Sequence, residues 1–525
     1  MTPRTNETTS APQLGLVHKP ELHLVHGNNS AQVSSAIATW SDRAIFLCLC
    51  VLAFAAPQYI KLTTFAFVAA LLVWTAKLLI CGRKYESQSL ILPALIFLAA
   101  AGIASALSYV PVLSWERMRS FVLLPLAFVI TQNLKSIRQI RILVTIVLVS
   151  ATLSAARTGW QYAFGIGIRL VDVPANSLLY QDGVRSGDLV QLINGRQTRS
   201  LGQWKKVLGR MSAETKLRLH VARQAPVYPL ITYFNLTIDR KHLEEWLNTP
   251  GNGVARGRPL RAQGHLDHFI RYAGVMMQLA LLAFGLLLAC RSANRWLRML
   301  LGLVFAAITA ALFATVTRTY IIGLLLGCAL QFWLLHQRFR KLVIAGLTVG
   351  LVVAVLWVNK ERGQVWFSAG DQFRFEIWKD SLQLIPHHPL FGVGLDSVNQ
   401  YGDQWNVAAF KEFAFRAHFH SSYVQLAVDC GLPCLAAWVW LLTSYVLLLW
   451  RSWRHSQHWQ EFPRGTLLGI LASAVIFVVA SGVNYTLADA EVISVTWLCM
   501  GLAIALIRME NTIPRHERPR LTVVA

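Results

Sequence analysis

Two histidines one residue apart, His418 and His420 in "FRAHFHSSYVQLAV", stand immediately before an apolar stretch. Imidazoles at such a boundary offer two chemistries, metal ligation and proton transfer. His418-x-His420 on a strand would present two ligands on one face, and His387 and His388 in "LIPHHPLFGVG" would be further donors. Acidic partners are not arranged around them, so no metal site is assigned. Proton transfer has the better setting. Ser421 and Ser422 offer caps for a helix whose apolar stripe is Tyr423, Leu426 and Ala427. A helix N-terminus disfavours imidazolium, which would keep His420 neutral at pH 7 and able to act as a general base. A hydrogen-bonded structural histidine is the plainer alternative.

Two arginines lie away from the main clusters of positive charge: Arg318 in "TVTRTYIIG" and Arg374 in "DQFRFEIWKDSLQLI". The second falls on an amphipathic helix pattern with Phe373, Ile377, Leu382 and Leu384 around it. A guanidinium near a bilayer is costly unless it is paired or faces water. Interfacial snorkelling, or an ion pair with Glu376 or Asp371, is the structural reading. The functional reading uses the planar, permanently charged fork, which binds phosphate oxygens two at a time. Two such groups at a membrane surface would suit a lipid diphosphate.

The elements that must position these groups are transmembrane helices. Of 525 residues, 55% are hydrophobic and 14% charged, and the mean hydropathy is +0.45. That balance excludes an ordinary soluble domain and predicts an all-α polytopic membrane protein. The net charge of +23 comes from short clusters between apolar runs, which excludes a nucleic-acid-binding face. The eight cysteines lie in or beside apolar runs, so neither a disulfide framework nor a zinc site is expected in the polar segments. Apolar runs predict about twelve spans, near 43–60, 62–80, 88–109, 119–132, 140–162, 267–290, 297–315, 319–336, 341–358, 434–450, 465–483 and 490–507. Counted alternately, "GRKYES", "KSIRQIR", "RSANRWLR", "QRFRK", "RSWRHSQ" and the "RHERPR" tail share one side, which the positive-inside rule makes cytoplasmic. Both termini are then cytoplasmic, and two long polar segments face the periplasm of a bacterial inner membrane.

The expected organisation is a disordered cytoplasmic tail (1–42), a first bundle of about five helices (43–162) and a β-rich insert (163–249). A linker (250–266), more helices (267–358) and a periplasmic catalytic loop (359–433) follow. The last helices (434–507) and a basic cytoplasmic tail (508–525) complete the chain. Within the insert, "INGR" reads as a hairpin turn, "SLGQWKKVL" as a helix capped by Ser200 and "KLRLHVAR" as a strand. The run "DGVRSGDLVQLINGR" makes the insert resemble a PDZ domain. In that resemblance "FGIGI" corresponds to the peptide-carboxylate loop, formed here by Gly165, Ile166, Gly167 and Ile168. It implies a periplasmic peptide or protein partner captured by strand addition; a spacer module that binds no peptide is the alternative.

The larger resemblance rests on three elements. His420-Ser421, nine residues and then Gly431-Leu432-Pro433-Cys434 match a His-[Asn/Ser/Gln]-x9-Gly-x-x-[Gly/Thr/Tyr] pattern, with cysteine as a departure at the last position. Arg374 and Trp378 match an Arg-x-x-x-Trp element, followed by His388, Pro389, Leu390, Gly392 and Gly394 in a His-Pro-Leu-x-Gly-x-Gly element. "TRTYIIG" is similar to a Ser-Arg-Gly-x-x-x-Gly element, with Arg318 in register and Thr319 replacing glycine. Over about residues 270–505 the chain resembles the O-antigen ligase (Wzy C-terminal) superfamily of membrane glycosyl-polymer transferases.

The resemblance implies about twelve transmembrane helices and transfer of a glycan from undecaprenyl diphosphate to an acceptor hydroxyl. It also implies no cofactor and no metal. His420 would be the base, Arg318 and Arg374 the diphosphate ligands, and His418, Trp378, Gly392 and Gly394 supporting residues. Lipid A-core is the leading acceptor. A protein O-oligosaccharyltransferase or a polysaccharide polymerase would use the same residues. Outside enzymes, a transporter of lipid-linked glycan with a periplasmic sensor domain would also be polytopic, but transporters concentrate ionisable residues near the midplane.

Overall fold

The structure is a computed structural model and describes residues 25–81, 89–197, 200–210, 216–224, 231–249, 253–266, 268–290, 295–336, 341, 345–346, 369–412 and 418–512. Most of the expected span at 341–358, the first 24 residues and the tail beyond 512 lie outside them. The chain begins with α1 (Val25–Ala55), α2 (Ile60–Cys81), α3 (Ile91–Ala106), α4 (Pro111–Arg117), α5 (Pro125–Asn133) and α6 (Ile137–Phe164). The apolar part of α1 starts at Ile37, but the helix reaches back to Val25, into residues expected to be a disordered tail. A helix propagates outward where no proline stops it. The expected span at 119–132 is instead broken: Pro111 and Pro125 each open a short helix, and a 3-10 turn, Phe121–Leu123, precedes α5. Proline suits a first turn because its missing N–H would have no partner there.

The insert follows: β1 (Gly167–Val171), α7 (Leu178–Gln181), β2 (Leu189–Ile193), β3 (Arg196–Gln197), α8 (Leu201–Leu208), β4 (Lys216–Gln224), β5 (Ile231–Asp239), α9 (Arg240–Asn248) and β6 (Gly253–Gly257). Its antiparallel sheet runs β5-β4-β2-β1-β6, with β3 on β2. The Asn-Gly turn joins β2 to β3 with both residues at positive φ, 48° and 78°, as a tight hairpin turn needs. Ser200 caps α8 as expected, and Trp204 of that helix is buried with Leu170, Val190, Leu219 and Trp246. Asp188 is buried and held by Arg223 at 2.7 Å. Residues 253–257, expected in a linker, are the sheet's last strand.

The remainder comprises α10 (Phe269–Ala289), α11 (Arg295–Phe313), α12 (Arg318–Leu335), α13 (Ala369–His387), α14 (Val398–Tyr401), α15 (Ala408–Glu412), α16 (Ser422–His455), α17 (Glu461–Ser481) and α18 (Ala490–Thr512). Among the described residues nine helices are long and apolar enough to cross a membrane, so the chain is a multi-spanning membrane protein. α10 and α18 form its centre. α10 meets α17 backbone to backbone: a Cβ on Gly285 would lie 2.5 Å from the Gly469 nitrogen. Such glycine contacts replace hydrophobic driving force with close packing. Phe65, Leu72 and Leu303 point outward, as lipid-facing side chains do.

Candidate active site

The site is built on a break in α16. Gly431 interrupts the helix at φ 81°, and Pro433 has no N–H to return to the Asp429 carbonyl. Two carbonyls are thereby released from the helix ladder. The Gly-x-Gly segment takes both: Val393 N–H donates to Val428 O at 2.9 Å and Gly394 N–H to Asp429 O at 2.8 Å. Leu432 N–H in turn donates to Pro389 O at 2.8 Å. The two motifs, far apart in sequence, therefore complete each other's backbone hydrogen bonding. Gly392 and Gly394 have φ of 65° and 95°, and a Cβ on Gly394 would stand 1.8 Å from Ser108 Oγ. These glycines serve close approach and left-handed backbone.

The broken helix presents His420 at its entrance. Ser421 caps α16 by accepting from Val424 N–H, and Ser422 N–H donates to Asn484 O at 3.1 Å. His420 itself sits at φ 52°, a left-handed conformation costing of order 1–3 kcal/mol that surrounding contacts must hold. Those contacts lie on either side of it. Trp378 donates its indole N–H to Phe419 O at 2.6 Å, and Phe419 N–H donates to Gln425 Oε1 at 2.7 Å. Gln425 Nε2 donates to Asp429 Oδ2 at 2.8 Å, which orients the amide so that its oxygen faces Phe419. The His420 ring stands edge-on to Phe373, 5.8 Å between centroids. His418 lies 4.3 Å from His420 and 5.6 Å from Tyr485, centroid to centroid.

Electrostatically the surroundings of the two histidines favour neutral imidazole. His420 is pushed down to about 2 by desolvation, then by His418 and Arg374. Desolvation likewise brings His418 down, to about 4, against the pull of Asp396. Arg374 lies one turn before Trp378 on α13, on the same face, so the indole bond also brings its guanidinium within electrostatic range of both histidines.

Arg318 opens α12, within electrostatic range of Arg261. Arg261 and His268 were not singled out in the sequence, nor was Arg271. They bridge the space between Arg318 and the histidines: Arg261 is in range of His268, and His268 of His418. Desolvation, with Arg271 and Arg261, holds His268 at about 4. The signal was available, because "VARGRPLR" puts arginine on the side opposite the main basic clusters. Asp429, an acid inside an apolar helix, carried a similar signal. Asp489 and Glu491 pair with Arg271, at 3.0 and 3.4 Å. Burial, partly offset by Arg271, raises Asp489 to about 7. His387 meets the Gln383 carbonyl at 2.6 Å, and His388 packs against Tyr109 and Trp405.

The loop at Gly165, Ile166, Gly167 and Ile168 lies in the insert, and its backbone is engaged by the chain itself. Gly165 caps α6, Ile166 N–H donates to Gly257 O at 2.8 Å, and β1 is paired on both edges, by β2 and β6. No strand can add to β1 while β6 is in place.

Residues 303–439 match the family model described as O-antigen ligase, Wzy_C. The match begins in α11 and ends in α16, so it takes in Arg318, Arg374, Trp378, the Gly-x-Gly turn, both histidines and Gly431. A comparison with curated proteins finds no match to the chain. With the membrane helices, the family match supports a membrane enzyme of the O-antigen ligase and polymerase kind.

Proposed function

We propose that this chain, with its O-antigen ligase domain at residues 303–439, transfers a glycan from undecaprenyl diphosphate to a hydroxyl of lipid A-core at the periplasmic face of an inner membrane. The observation that carries the reading is His420, held neutral at the mouth of a membrane helix with the Arg374 guanidinium beside it. The acceptor hydroxyl oxygen attacks the anomeric carbon as the bond from that carbon to the phosphate oxygen breaks. The electron pair leaves on the diphosphate, and the hydroxyl proton passes to His420 and on to water. Arg374 and Arg318 balance the charge that develops on the leaving group. Trp378, Gly392 and Gly394 fix the geometry, and His418 flanks the base.

An imidazole poised near 2 is a weak base at rest. A diphosphate bound beside Arg374 counters the positive field that disfavours imidazolium, so the donor itself would raise the basicity of His420. Proton transfer would then be coupled to donor occupancy.

A protein O-oligosaccharyltransferase or a polymerase would run the same chemistry on another hydroxyl. Reconstitution of the full chain in vesicles with undecaprenyl-diphosphate-linked glycan and lipid A-core tests the reading. Formation of glycosylated lipid A-core with release of undecaprenyl diphosphate is expected. Release without that product, or transfer only to protein or to a second glycan, would replace the acceptor; no consumption of donor would remove the reading.

A further inference from the structure

Hydrogen bonds tie the β-rich insert to the end of α6, and the segment that leaves it to the turn before Arg318. At its base, Arg256 Nη1 donates to Ala163 O at 3.0 Å and Ile166 N–H to Gly257 O at 2.8 Å, which fixes β6 to the end of α6. Tyr233 of β5 donates to Gln263 Oε1 at 3.1 Å. Four residues beyond β6, Arg261 Nη2 donates to Val316 O at 2.7 Å, and Ala262 N–H donates to Ala314 O at 2.9 Å. The receiving turn leads directly into Arg318. Val316 in that turn has φ 53°, a costly conformation for a β-branched residue. Its strain is maintained where its carbonyl receives the guanidinium.

Arg261 also lies over the Phe269 ring at 4.2 Å, so its direction is fixed from two sides. It and Arg318, the one half-buried and the other exposed, are like charges brought within electrostatic range, an arrangement that an anion between them would favour. Among the described residues neither has a carboxylate partner; the nearby acids Asp489 and Glu491 are held by Arg271.

We infer that Arg261 and Arg318 form one phosphate-binding subsite and that the insert, through β6, is the element that positions Arg261 in it. The ligand class is a phosphate or diphosphate ester, and this rests on the donor chemistry proposed above. The insert is thus part of the donor site's framework, and its β1 edge is closed by the strand that does the positioning.

Inorganic pyrophosphate is the probe, titrated calorimetrically into the detergent-purified full chain. Arg261→Gln and Arg318→Gln should each weaken binding about tenfold, the loss of one charge-assisted contact. Gly257→Ala lies in the sheet, where its Cβ would meet the Gly167 carbonyl carbon at 2.7 Å, and should weaken binding by a similar factor. Arg256→Ala, which removes the side-chain tie to α6 and leaves the backbone bond from Ile166 to Gly257, should act in the same direction and decides the matter if Gly257→Ala misfolds. Wild-type affinity in Arg261→Gln, with Arg318→Gln weakened, would overturn the subsite and leave the donor reading intact. Wild-type affinity in Arg256→Ala and in folded Gly257→Ala, with Arg261→Gln weakened, would overturn the positioning role. Absence of pyrophosphate binding to the wild-type chain would overturn the diphosphate reading itself.

Discussion

The indole N–H of Trp378 meets the carbonyl of Phe419 at 2.6 Å. One helix thereby holds the peptide unit that leads into His420, forty-two residues further along the chain, in a left-handed conformation. Trp378→Phe keeps an aromatic ring, though a smaller one, and deletes the donor, leaving a carbonyl without its partner at a cost of about 1–3 kcal/mol. Glycan transfer should fall by roughly one to two orders of magnitude with pyrophosphate affinity little changed. A comparison of turnover with pyrophosphate titration checks this, and loss of affinity alone would contradict it.

The glycines of the break admit no side chain. A Cβ on Gly394 would lie 1.8 Å from Ser108 Oγ, and one on Gly431 2.3 Å from Leu390 O, each at positive φ. Gly394→Ala and Gly431→Ala should each destabilise by about 2–4 kcal/mol. Thermal denaturation in detergent measures the effect, with a lower midpoint expected in both.

Acid should act on stability before it acts on the base. His268 and His418 stand at about 4 and His420 at about 2, all below the ordinary 6.5. Their unfolded counterparts take up protons near pH 6.5 while the folded ones do not, so stability declines as pH falls from about 6.5 towards 4. Thermal midpoints measured from pH 7 to pH 5 should decrease, and the decrease should shrink in His268→Asn. In the same range kcat/KM should show no acid limb near pH 6.5; such a limb would mean that the free site holds an ordinary histidine.

Arg271 links α10 to the start of α18 through Asp489 and Glu491. Arg271→Gln leaves the two acids without their cation and should lower stability by about 1–3 kcal/mol. Asp489→Asn in the same background should recover part of it, since one of the two facing charges is then gone. A double-mutant cycle on thermal midpoints reads the coupling.

Much of the scaffold was legible because each signal was local. Apolar length gives the membrane helices, the Asn-Gly pair gives the hairpin, and Ser200 and Ser421 mark where α8 and α16 begin. What escaped was long-range. The Gly-x-Gly turn and the Gly431–Pro433 break are readable as separate irregularities, but their exchange of hydrogen bonds depends on tertiary packing. Residues 253–257 were expected in a linker, since two glycines and an arginine among five residues give little strand pattern; pairing to β1 overrides that weak local preference. Arg261, His268 and Arg271 lie scattered around that strand's exit, and only the fold gathers their charge. The prolines at 111 and 125 marked the broken helix, yet the apolar run on both sides of Pro125 masked it.

Single-turnover transfer by His420→Ala, in vesicles preloaded with the lipid-linked donor, bears most directly on the proposed base. An intact, inserted protein is expected that binds pyrophosphate as tightly as the wild type yet transfers glycan at least about a thousandfold more slowly. Transfer by that variant at the wild-type rate would contradict the assignment of His420 as the base.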